Sequence, residues 1–400
     1  MGRTLVGVAV SNIDRAGSHQ LELPFEEHAD TLAIDEAVGD PPDGAHDLGG
    51  ATVLPGLIDA HAHVASDTSR SPGFGPPPLQ HGEPPRPAGL AHYILAATAD
   101  RFLRSGFTTV RDVGAYDDEV LVLRAAIDTG LVPGPRVYTC GRIVSATGPG
   151  GQIFRSMYRE ADGPWEMRKA VREQLALGAE FIKFMATGAR SVVLEDPEAP
   201  QMTLEEMRAI VDEAHRMGKR VAAHAEGLEG TRWALEAGAD TIEHGLALHR
   251  EPRLLDDMAT RGTVLVPTIS TFHDLAERFA NIFPVVLVEQ AKRQLEEAMR
   301  TVETARRAGV TLALGYDSGP PGSSAQELLR LMEALYGPER AAMPTAMTLS
   351  SRGSTIGWMS CELRWASSSS AACRARARST PRPARPWRRL RVLDDLWHSY

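Results

Sequence analysis

Two histidines stand two positions apart at the end of an apolar run near residue 60. The stretch GLIDAHAHV, residues 56–64, contains His61 and His63 with one alanine between them. In an extended strand, residues i and i+2 point to the same side of the backbone, so both imidazoles can reach one metal ion. Two unrelated histidines on a loop explain this short stretch equally well, and other residues must decide between the two interpretations.

Further side chains with metal-binding or acid–base chemistry stand inside or at the end of apolar runs. Lys183 lies within EFIKFM, and Asp317 ends LALGYD. His224 ends VAAH, and His244 ends TIEH. Each residue alone has an ordinary explanation: a lysine that reaches the surface, a hydrogen-bonded core histidine or an aspartate in a turn. One shared metal centre explains their joint occurrence with the His61 pair more simply.

Short β-branched runs alternate with longer amphipathic runs between residues 54 and 337. In the longer runs apolar residues recur every three or four positions, which predicts helices such as LEEMRAIVDEAHRMG. The shorter runs predict eight strands: VLPGLIDA, TTVRDV, RVYTC, EFIKFM, RVAAHA, DTIEHG, TVLVPT and VTLALGYD. Strict alternation favours an α/β fold, a closed (β/α)8 TIM barrel with active-site residues at the C-terminal ends of its strands. A doubly wound open sheet is the alternative, but no glycine-rich phosphate loop follows the first strand.

The composition limits the class of protein. The 400 residues are 43% hydrophobic, enough for a large core, and the formal charge of −9 argues against nucleic acid as the main partner. The three cysteines have no paired spacing, which fits a reducing cytoplasm. The N-terminal residues have no signal-peptide pattern, and no apolar run approaches the roughly 20 residues that span a bilayer. We therefore expect a cytoplasmic protein with a small-molecule substrate and no membrane partner.

The motifs together resemble the amidohydrolase superfamily, in its binuclear form with a carboxylated lysine. The resemblance covers residues 50 to about 340. It rests on five stretches in the family's order: PGLIDAHAH, FIKFMATG, AAHAEG, IEHG and LGYDSG. The chain looks most like the imidazolonepropionase-related and prolidase-like members, which include dipeptidases, carboxypeptidases and hydrolases of N-acyl amino acids. Because such relatives commonly assemble, the resemblance also implies a homo-oligomer.

The resemblance implies two divalent metal ions held by four histidines, one aspartate and one lysine. The implied ligands are His61, His63 and Asp317 for one ion, His224 and His244 for the other, and Lys183 between them. Burial lowers the pKa of a lysine and frees its amine to react with carbon dioxide, and the resulting carbamate suits two neighbouring cations. Zinc suits these ligands, and manganese, cobalt and iron are the alternatives.

The implied activity is hydrolysis of an amide bond in a small molecule, such as a dipeptide, an N-acyl amino acid or a cyclic amide. A hydroxide held between the metals would be the nucleophile, and Asp317 would act as general base and then as general acid. A heterocycle deaminase is one alternative, but that activity goes more often with a single metal and a glutamate, and Lys183 argues against it. A non-catalytic barrel that serves as a binding or scaffold protein is the other.

Substrate contacts are expected where the chain departs from its relatives. Many prolidase-like proteins carry Thr-Gly-Gly-His after the third strand, whereas this chain reads ATGPGGQIF with Gln152 near the histidine position. Glu226 and Tyr316 replace residues that are common in the family beside the fifth-strand and eighth-strand ligands. Tyr158 and Arg190 stand on predicted loops that could overhang the pocket and bind a carboxylate. We predict Gln152, Tyr158 and Arg190 as substrate-binding residues, with solvated surface residues as the alternative.

The segments outside the predicted barrel of residues 54–342 are atypical. In the family, residues equivalent to 1–53 form part of a small β-sandwich that a strand-rich C-terminus completes. Residues 343–400 are instead rich in arginine, serine, alanine and proline, with ten arginines and no lysine from residue 345 onward. The lack of a helical or strand period predicts disorder. A frameshift in a GC-rich gene explains this tail better than binding to nucleic acid or an acidic surface, and it would leave the sandwich incomplete.

Overall fold

The computed structural model describes residues 56–65, residues 89–317 apart from 191, 193, 279 and 282, and residues 324–336. All of these residues belong to one compact unit of the chain. The predicted sandwich segment 1–53 and the predicted tail 343–400 lie outside the described residues, so both stay predictions.

The described strands pair in parallel and form two sheets. They are β1 (Leu57–Ala62), β2 (Phe107–Asp112), β3 (Arg136–Thr139), β4 (Ile143–Ser145), β5 (Tyr158–Glu160), β6 (Ile182–Met185), β7 (Val221–Ala225), β8 (Thr241–His244) and β9 (Val264–Val266). One sheet has the order β1-β2-β3, and the other has the order β5-β4-β6-β7-β8-β9. The α/β class with parallel strands is confirmed. The first seven predicted strands each overlap an observed strand, and β4 and β5 are additional.

The eighth predicted strand, residues 310–317, is not a continuous strand. It forms isolated parallel bridges, to β9 at Leu312 and to β1 at Asp317. The amide of Asp317 donates to the carbonyl of His61 at 2.7 Å. A Cβ atom on Gly315 would lie 2.5 Å from the Cβ of His61, so the segment can pass this close to β1 only because residue 315 is glycine. Contact with both strands positions Asp317 beside the end of β1.

Helices follow the strands, as the amphipathic runs predict. They are α1 (Leu90–Arg104), α2 (Glu119–Asp128), α3 (Pro149–Phe154), α4 (Gly163–Leu177), α5 (Leu204–Arg216), α6 (Leu228–Ala237), α7 (Pro252–Arg261), α8 (Ile269–His273), α9 (Val285–Ala308) and α10 (Ser324–Tyr336). A capping box begins α5: the Glu206 amide donates to Thr203 Oγ1, and the Thr203 amide donates to Glu206 Oε2 at 2.8 Å. Gly178 ends α4 in the left-handed conformation. Among the described helices, none is both long and apolar enough to cross a membrane.

The largest part of the core lies between the helices and the six-stranded sheet. Ile182 and Phe184 of β6 and Ile242 of β8 are fully buried, and they share one cluster with Met207 and Ile210 of α5. Strands of a parallel sheet are covered on both faces, so they consist mainly of apolar residues. A charged side chain inside such a strand is costly unless it has a partner or a chemical role.

Candidate metal centre

The C-terminal ends of the strands bring the four histidines of the predicted site together. His61 lies in β1 and His63 directly follows it, while His224 lies in β7 and His244 ends β8. The ring centroids are 5.6 Å apart for the first two, and 4.6 Å apart for the last two. His61 and His244 join the two pairs at 5.1 Å. All four side chains are buried, so they form a single enclosed cluster.

Asp317 lies at one side of this cluster, next to His61 and His63. Its Oδ1 is 3.5 Å from the Nε2 of His61 and 3.5 Å from the Nε2 of His63. The other ring nitrogens point to protein atoms: the Nδ1 of His61 lies 2.6 Å from Glu243 Oε2, and the Nδ1 of His63 donates to the Gly114 carbonyl at 3.0 Å. Both Nε2 atoms and the carboxylate oxygen therefore converge, as ligands of one cation do.

The other two histidines are oriented in the same manner. The Nε2 of His224 donates to the Gly188 carbonyl at 3.2 Å, and the Nδ1 of His244 lies 2.7 Å from Thr268 Oγ1. One ring nitrogen of each is thus held by the protein, and the other is left for a ligand. Two groups have potential ligand atoms within 4.8 Å of one another: His61, His244 and Asp317, and His224, Glu226 and His244.

Burial keeps three of the clustered imidazoles, those of His63, His224 and His244, neutral. It lowers the pKa of His63 to about 4, although the charge of Asp317 acts in the opposite direction. Burial and the charge of Lys183 hold the pKa of His224 well below its ordinary value. The pKa of His244 is likewise held well below its ordinary value, chiefly by burial. Because a neutral imidazole is the form that binds a metal ion, the cluster fits divalent cations.

Lys183 occupies the middle of β6 and is 2% exposed. Its ammonium makes no hydrogen bond or salt bridge with any of the described residues. Burial lowers its pKa to about 8, against the opposing charge of Glu243. A buried ammonium without a close partner is costly, and deprotonation yields a nucleophilic amine. This side chain therefore suits a chemical change that removes its positive charge.

Glu243, which is buried, and Arg111, which is partly buried, form an ion pair that the sequence motifs did not single out. Glu243 lies in β8 and Arg111 in β2. The Arg111 Nη2 donates to Glu243 Oε1 at 2.5 Å, and its Nε donates to the Ala60 carbonyl at 2.6 Å. Both are charged residues inside apolar strands, in TIEHG and TTVRDV, and that placement is the signal that could have identified them. The pair holds His61 through the ring nitrogen that faces away from the cluster.

Arg190 lies inside the site rather than on the surface, and it is 8% exposed. Its Nη1 donates to Glu226 Oε1 at 2.8 Å. Its Nη2 donates to Thr271 Oγ1 at 2.9 Å and to Asp317 Oδ2 at 3.2 Å. The guanidinium carbon lies 4.2 Å from the ring centroid of Phe272, within the range of a cation–π contact. A planar guanidinium fixed in this way is suited to bind an oxyanion.

The other two predicted substrate-binding residues differ in burial. Tyr158 begins β5 and is buried, with its ring centroid 4.9 Å from that of Phe154. Burial raises the pKa of Tyr158 well above its ordinary value, so its hydroxyl stays protonated. Gln152 lies on α3 with its side chain exposed. Substrate contacts for both residues stay predictions.

Backbone strain is concentrated at this cluster. Five described residues other than glycine have a positive φ, and three of them are His244 (φ 71°), Thr268 (φ 47°) and Asp317 (φ 71°). Such conformations cost about 1–3 kcal/mol each and persist where surrounding contacts impose them, typically at functional sites. A π-helical turn at Asp274–Arg278 follows α8, and such turns are also frequent at functional sites.

The chain is similar to one described protein family and to several known proteins. The model of the family described as "Amidohydrolase family" matches residues 52–373. Ochratoxinase from Aspergillus niger is 31% identical over 304 residues, which cover 69% of this chain and 60% of ochratoxinase. Imidazolonepropionase from Paracoccus denitrificans is 28% identical over 310 residues, which cover 72% of this chain and 69% of that enzyme. The chain thus spans less than two thirds of the ochratoxinase that it matches.

A solved structure of a Xaa-Pro dipeptidase with bound methionine in its active site is also similar. It aligns with a TM-score of 0.62 at 30% sequence identity, and the alignment covers 74% of each chain. The resemblance read from the sequence motifs, to imidazolonepropionase-related and prolidase-like proteins, is therefore confirmed.

Proposed function

Because the chain belongs to the amidohydrolase family, we propose that it is a metal-dependent hydrolase that cleaves a carbon–nitrogen bond in a small molecule. The observation that carries the proposal is the convergence of four buried imidazoles and one carboxylate at the ends of parallel strands. Catalytic sites of α/β folds lie at such strand ends.

The two sheets, in this proposal, are parts of one closed (β/α)8 barrel. At one junction, the segment 310–317 bridges β9 and β1. At the other, β3 and β4 are consecutive strands of different sheets, and the Glu180 amide next to β6 donates to the Thr139 carbonyl at 3.0 Å. The similarity to the Xaa-Pro dipeptidase supports the same architecture. Closure would place all the candidate ligands around one central opening.

Two divalent metal ions would be held here, zinc in the first instance. The proposed ligands are His61, His63 and Asp317 for one ion, His224 and His244 for the other, and Lys183 between them. The oriented imidazole nitrogens and the neutral histidines support this assignment. When bound, such ions polarise a carbonyl and lower the pKa of coordinated water towards about 7.

Lys183 is proposed to be carboxylated by carbon dioxide. The nitrogen of its neutral amine forms a bond to the carbon of carbon dioxide and releases one proton, which leaves an anionic carbamate. The pKa of about 8 makes the neutral amine more accessible near neutral pH than in an exposed lysine, and the lack of a hydrogen-bond partner among the described residues leaves the nitrogen available. The carbamate replaces a buried cation by an anion, which suits a site that holds cations.

Asp317 is the proposed general base and then general acid. Burial acts to raise its pKa, but the contact with His61 and the charge of Arg190 outweigh burial and hold the pKa well below its ordinary value. The carboxylate is therefore ionised and able to accept a proton from the attacking water. The same proton can then pass to the departing amine, because the amide nitrogen must be protonated before it leaves.

Arg190 is proposed to bind the carboxylate of the substrate, with contributions from Tyr158 and Gln152. The guanidinium lies 3.2 Å from Asp317 Oδ2, so a group that it binds would sit beside the proposed base. A carboxylate next to the scissile amide occurs in dipeptides and N-acyl amino acids, which are therefore the preferred substrate classes. The Xaa-Pro dipeptidase is a similar protein whose name fits such a substrate.

The direct test is an assay of the full chain after metal removal and refilling. Protein stripped by a chelator and refilled with zinc in bicarbonate buffer should hold about two ions per chain and hydrolyse members of a dipeptide and N-acyl amino acid library. Turnover of a heterocyclic amine instead of any amide would favour a deaminase. Full metal loading without any turnover would favour a binding protein.

A further inference from the structure

We propose that Glu327, on α10, is a positioning residue for the wall of the site formed by residues 268–274. The inference rests on the proposed function, since it assigns Glu327 a role in substrate binding and in metal retention. No motif points to this residue, and it touches none of the candidate ligands. It acts through the segment that does touch them.

The carboxylate of Glu327 binds two backbone amides of α8. Its side chain is fully buried. Oε1 accepts a hydrogen bond from the Ile269 amide at 2.8 Å, and Oε2 accepts one from the Ser270 amide at 2.6 Å. Both amides belong to the first turn of a helix, where backbone donors have no partner within the helix itself. Glu327 therefore supplies from another helix the cap that α8 lacks, since Thr268 makes no side-chain cap.

The capped segment contacts the proposed second metal site and the proposed substrate anchor. Thr268 Oγ1 lies 2.7 Å from the Nδ1 of His244, and Thr271 Oγ1 accepts from Arg190 at 2.9 Å. Phe272 lies under the Arg190 guanidinium and packs edge-on against the His244 ring, with centroids 6.0 Å apart. Three residues within five positions thus fix the orientation of one candidate ligand and one candidate substrate contact.

This segment cannot hold its conformation alone. A helix of five residues is too short to be stable without external contacts. Thr268 is in the left-handed region with φ 47°, which is strained for a β-branched residue. Two hydrogen bonds from the Ile269 and Ser270 amides to a buried carboxyl are a strong external restraint. Burial also raises the pKa of Glu327 to about 7. Burying this carboxyl therefore lowers the free energy of unfolding, a cost that a glutamate at the surface does not have.

The test compares E327Q with E333Q in the full chain. Glu333 is on the same helix and pairs with Arg330 at the surface, so E333Q controls for loss of a charge from α10. E327Q removes one of the two oxygen acceptors for the backbone amides of α8. It should raise KM for an N-acyl amino acid about tenfold, change kcat less, and weaken zinc retention about tenfold. E333Q should change neither. E327D keeps the charge but shortens the reach, and it should show the same changes if E327Q does not fold.

A double-mutant cycle with T271A separates positioning from general destabilisation. If Glu327 acts through the Thr271–Arg190 contact, the two changes should raise KM less together than the product of their separate effects. The inference would be overturned if E327Q and E327D had the KM and the zinc retention of the wild type. It would also be overturned if the effects of E327Q and T271A on KM were strictly multiplicative. The zinc measurement tests the role of Glu327 separately from the proposed function. If the chain hydrolyses no amide, the proposed function is refuted. Zinc retention by E327Q and the wild type still decides the role of Glu327.

Discussion

The Oε2 of Glu243 lies 2.6 Å from the Nδ1 of His61, and both side chains are buried. Glu243 stays ionised because Arg111 and His61 outweigh the effect of burial and depress its pKa. An ionised carboxylate accepts the proton of Nδ1, which fixes the His61 tautomer with a lone pair on Nε2. That nitrogen is the one that faces Asp317. The contact therefore determines whether His61 can bind a metal ion.

We expect E243Q to lower zinc affinity by about 10–100-fold, because a neutral amide no longer fixes the His61 tautomer. The measurement is a competitive zinc titration of the metal-free full chain. E236Q is the matched control, since Glu236 pairs with Arg208 at the surface. An E243Q protein that folds and binds zinc as tightly as the wild type would refute the role of this contact.

We expect K183A to bind fewer than two zinc ions and to lose the dependence of metal loading on bicarbonate. The reason is that the proposed bridging carbamate can form only on a lysine. Metal content after refilling, with and without bicarbonate, is the measurement. K169A is the control, because Lys169 is an exposed lysine on α4. Two ions per chain in K183A would rule out the bridging role.

We expect R190M to raise KM for N-acyl amino acids by about 10–100-fold, since it removes a charged hydrogen-bond donor to the carboxylate. The same acyl compounds with a carboxamide in place of the carboxylate serve as the control. R190M should change their KM little, because they lack the anion that the guanidinium binds. Equal losses for both substrate types would assign Arg190 a structural role instead.

We expect E213Q to destabilise the protein near neutral pH by about 1–2 kcal/mol, and by less as the pH falls. Hydrogen bonds from Arg172, and then from Arg216 and Arg168, lower the pKa of Glu213 from 4.5 to about 2 against the effect of burial. A carboxyl whose pKa is lowered by folding stabilises the folded protein at pH values above its unfolded-state pKa. For Glu213 this contribution is lost as the pH falls from about 4.5 to about 2.

Urea unfolding of E213Q and the wild type at several pH values measures the Glu213 contribution directly. E303Q, which alters an exposed pair with Arg307, is the control and should stay close to the wild type. A difference between E213Q and the wild type that does not shrink on acidification would show that the arginine contacts are not its cause.

Local sequence patterns were sufficient for seven of the described strands and for the gathering of the histidines, but not for β4 and β5. Strand periodicity placed His224 and His244 at the ends of neighbouring strands, and parallel pairing then brings them together. Partners distant in sequence were not predictable in this way. Glu243 lies 182 residues from His61, and Glu327 lies 58 residues from Ile269, so only the folded chain reveals these contacts.

Departures from the predicted elements have specific physical causes. The sequence of residues 310–317 predicts a strand, but these residues form only isolated bridges. One bridge is at Asp317, whose φ of 71° is outside the range of a regular strand. Gln152 was predicted near the substrate from its position in a motif, yet the residues around it form the short helix α3, on which its side chain is exposed. Burial of Arg190 could not be read from a polar loop sequence, because the loop folds inward against Glu226 and Phe272.

The most direct test of metal-dependent hydrolysis is the rate of N-acyl amino acid and dipeptide cleavage by the metal-free full chain, before and after zinc is restored in bicarbonate. We predict no cleavage before zinc is added and clear cleavage afterwards, with about two ions bound per chain. D317N, which keeps the shape of the proposed base but cannot accept the proton, should remain inactive after refilling. Cleavage that is unchanged by zinc removal, or refilled protein that cleaves no amide, would contradict the proposed function.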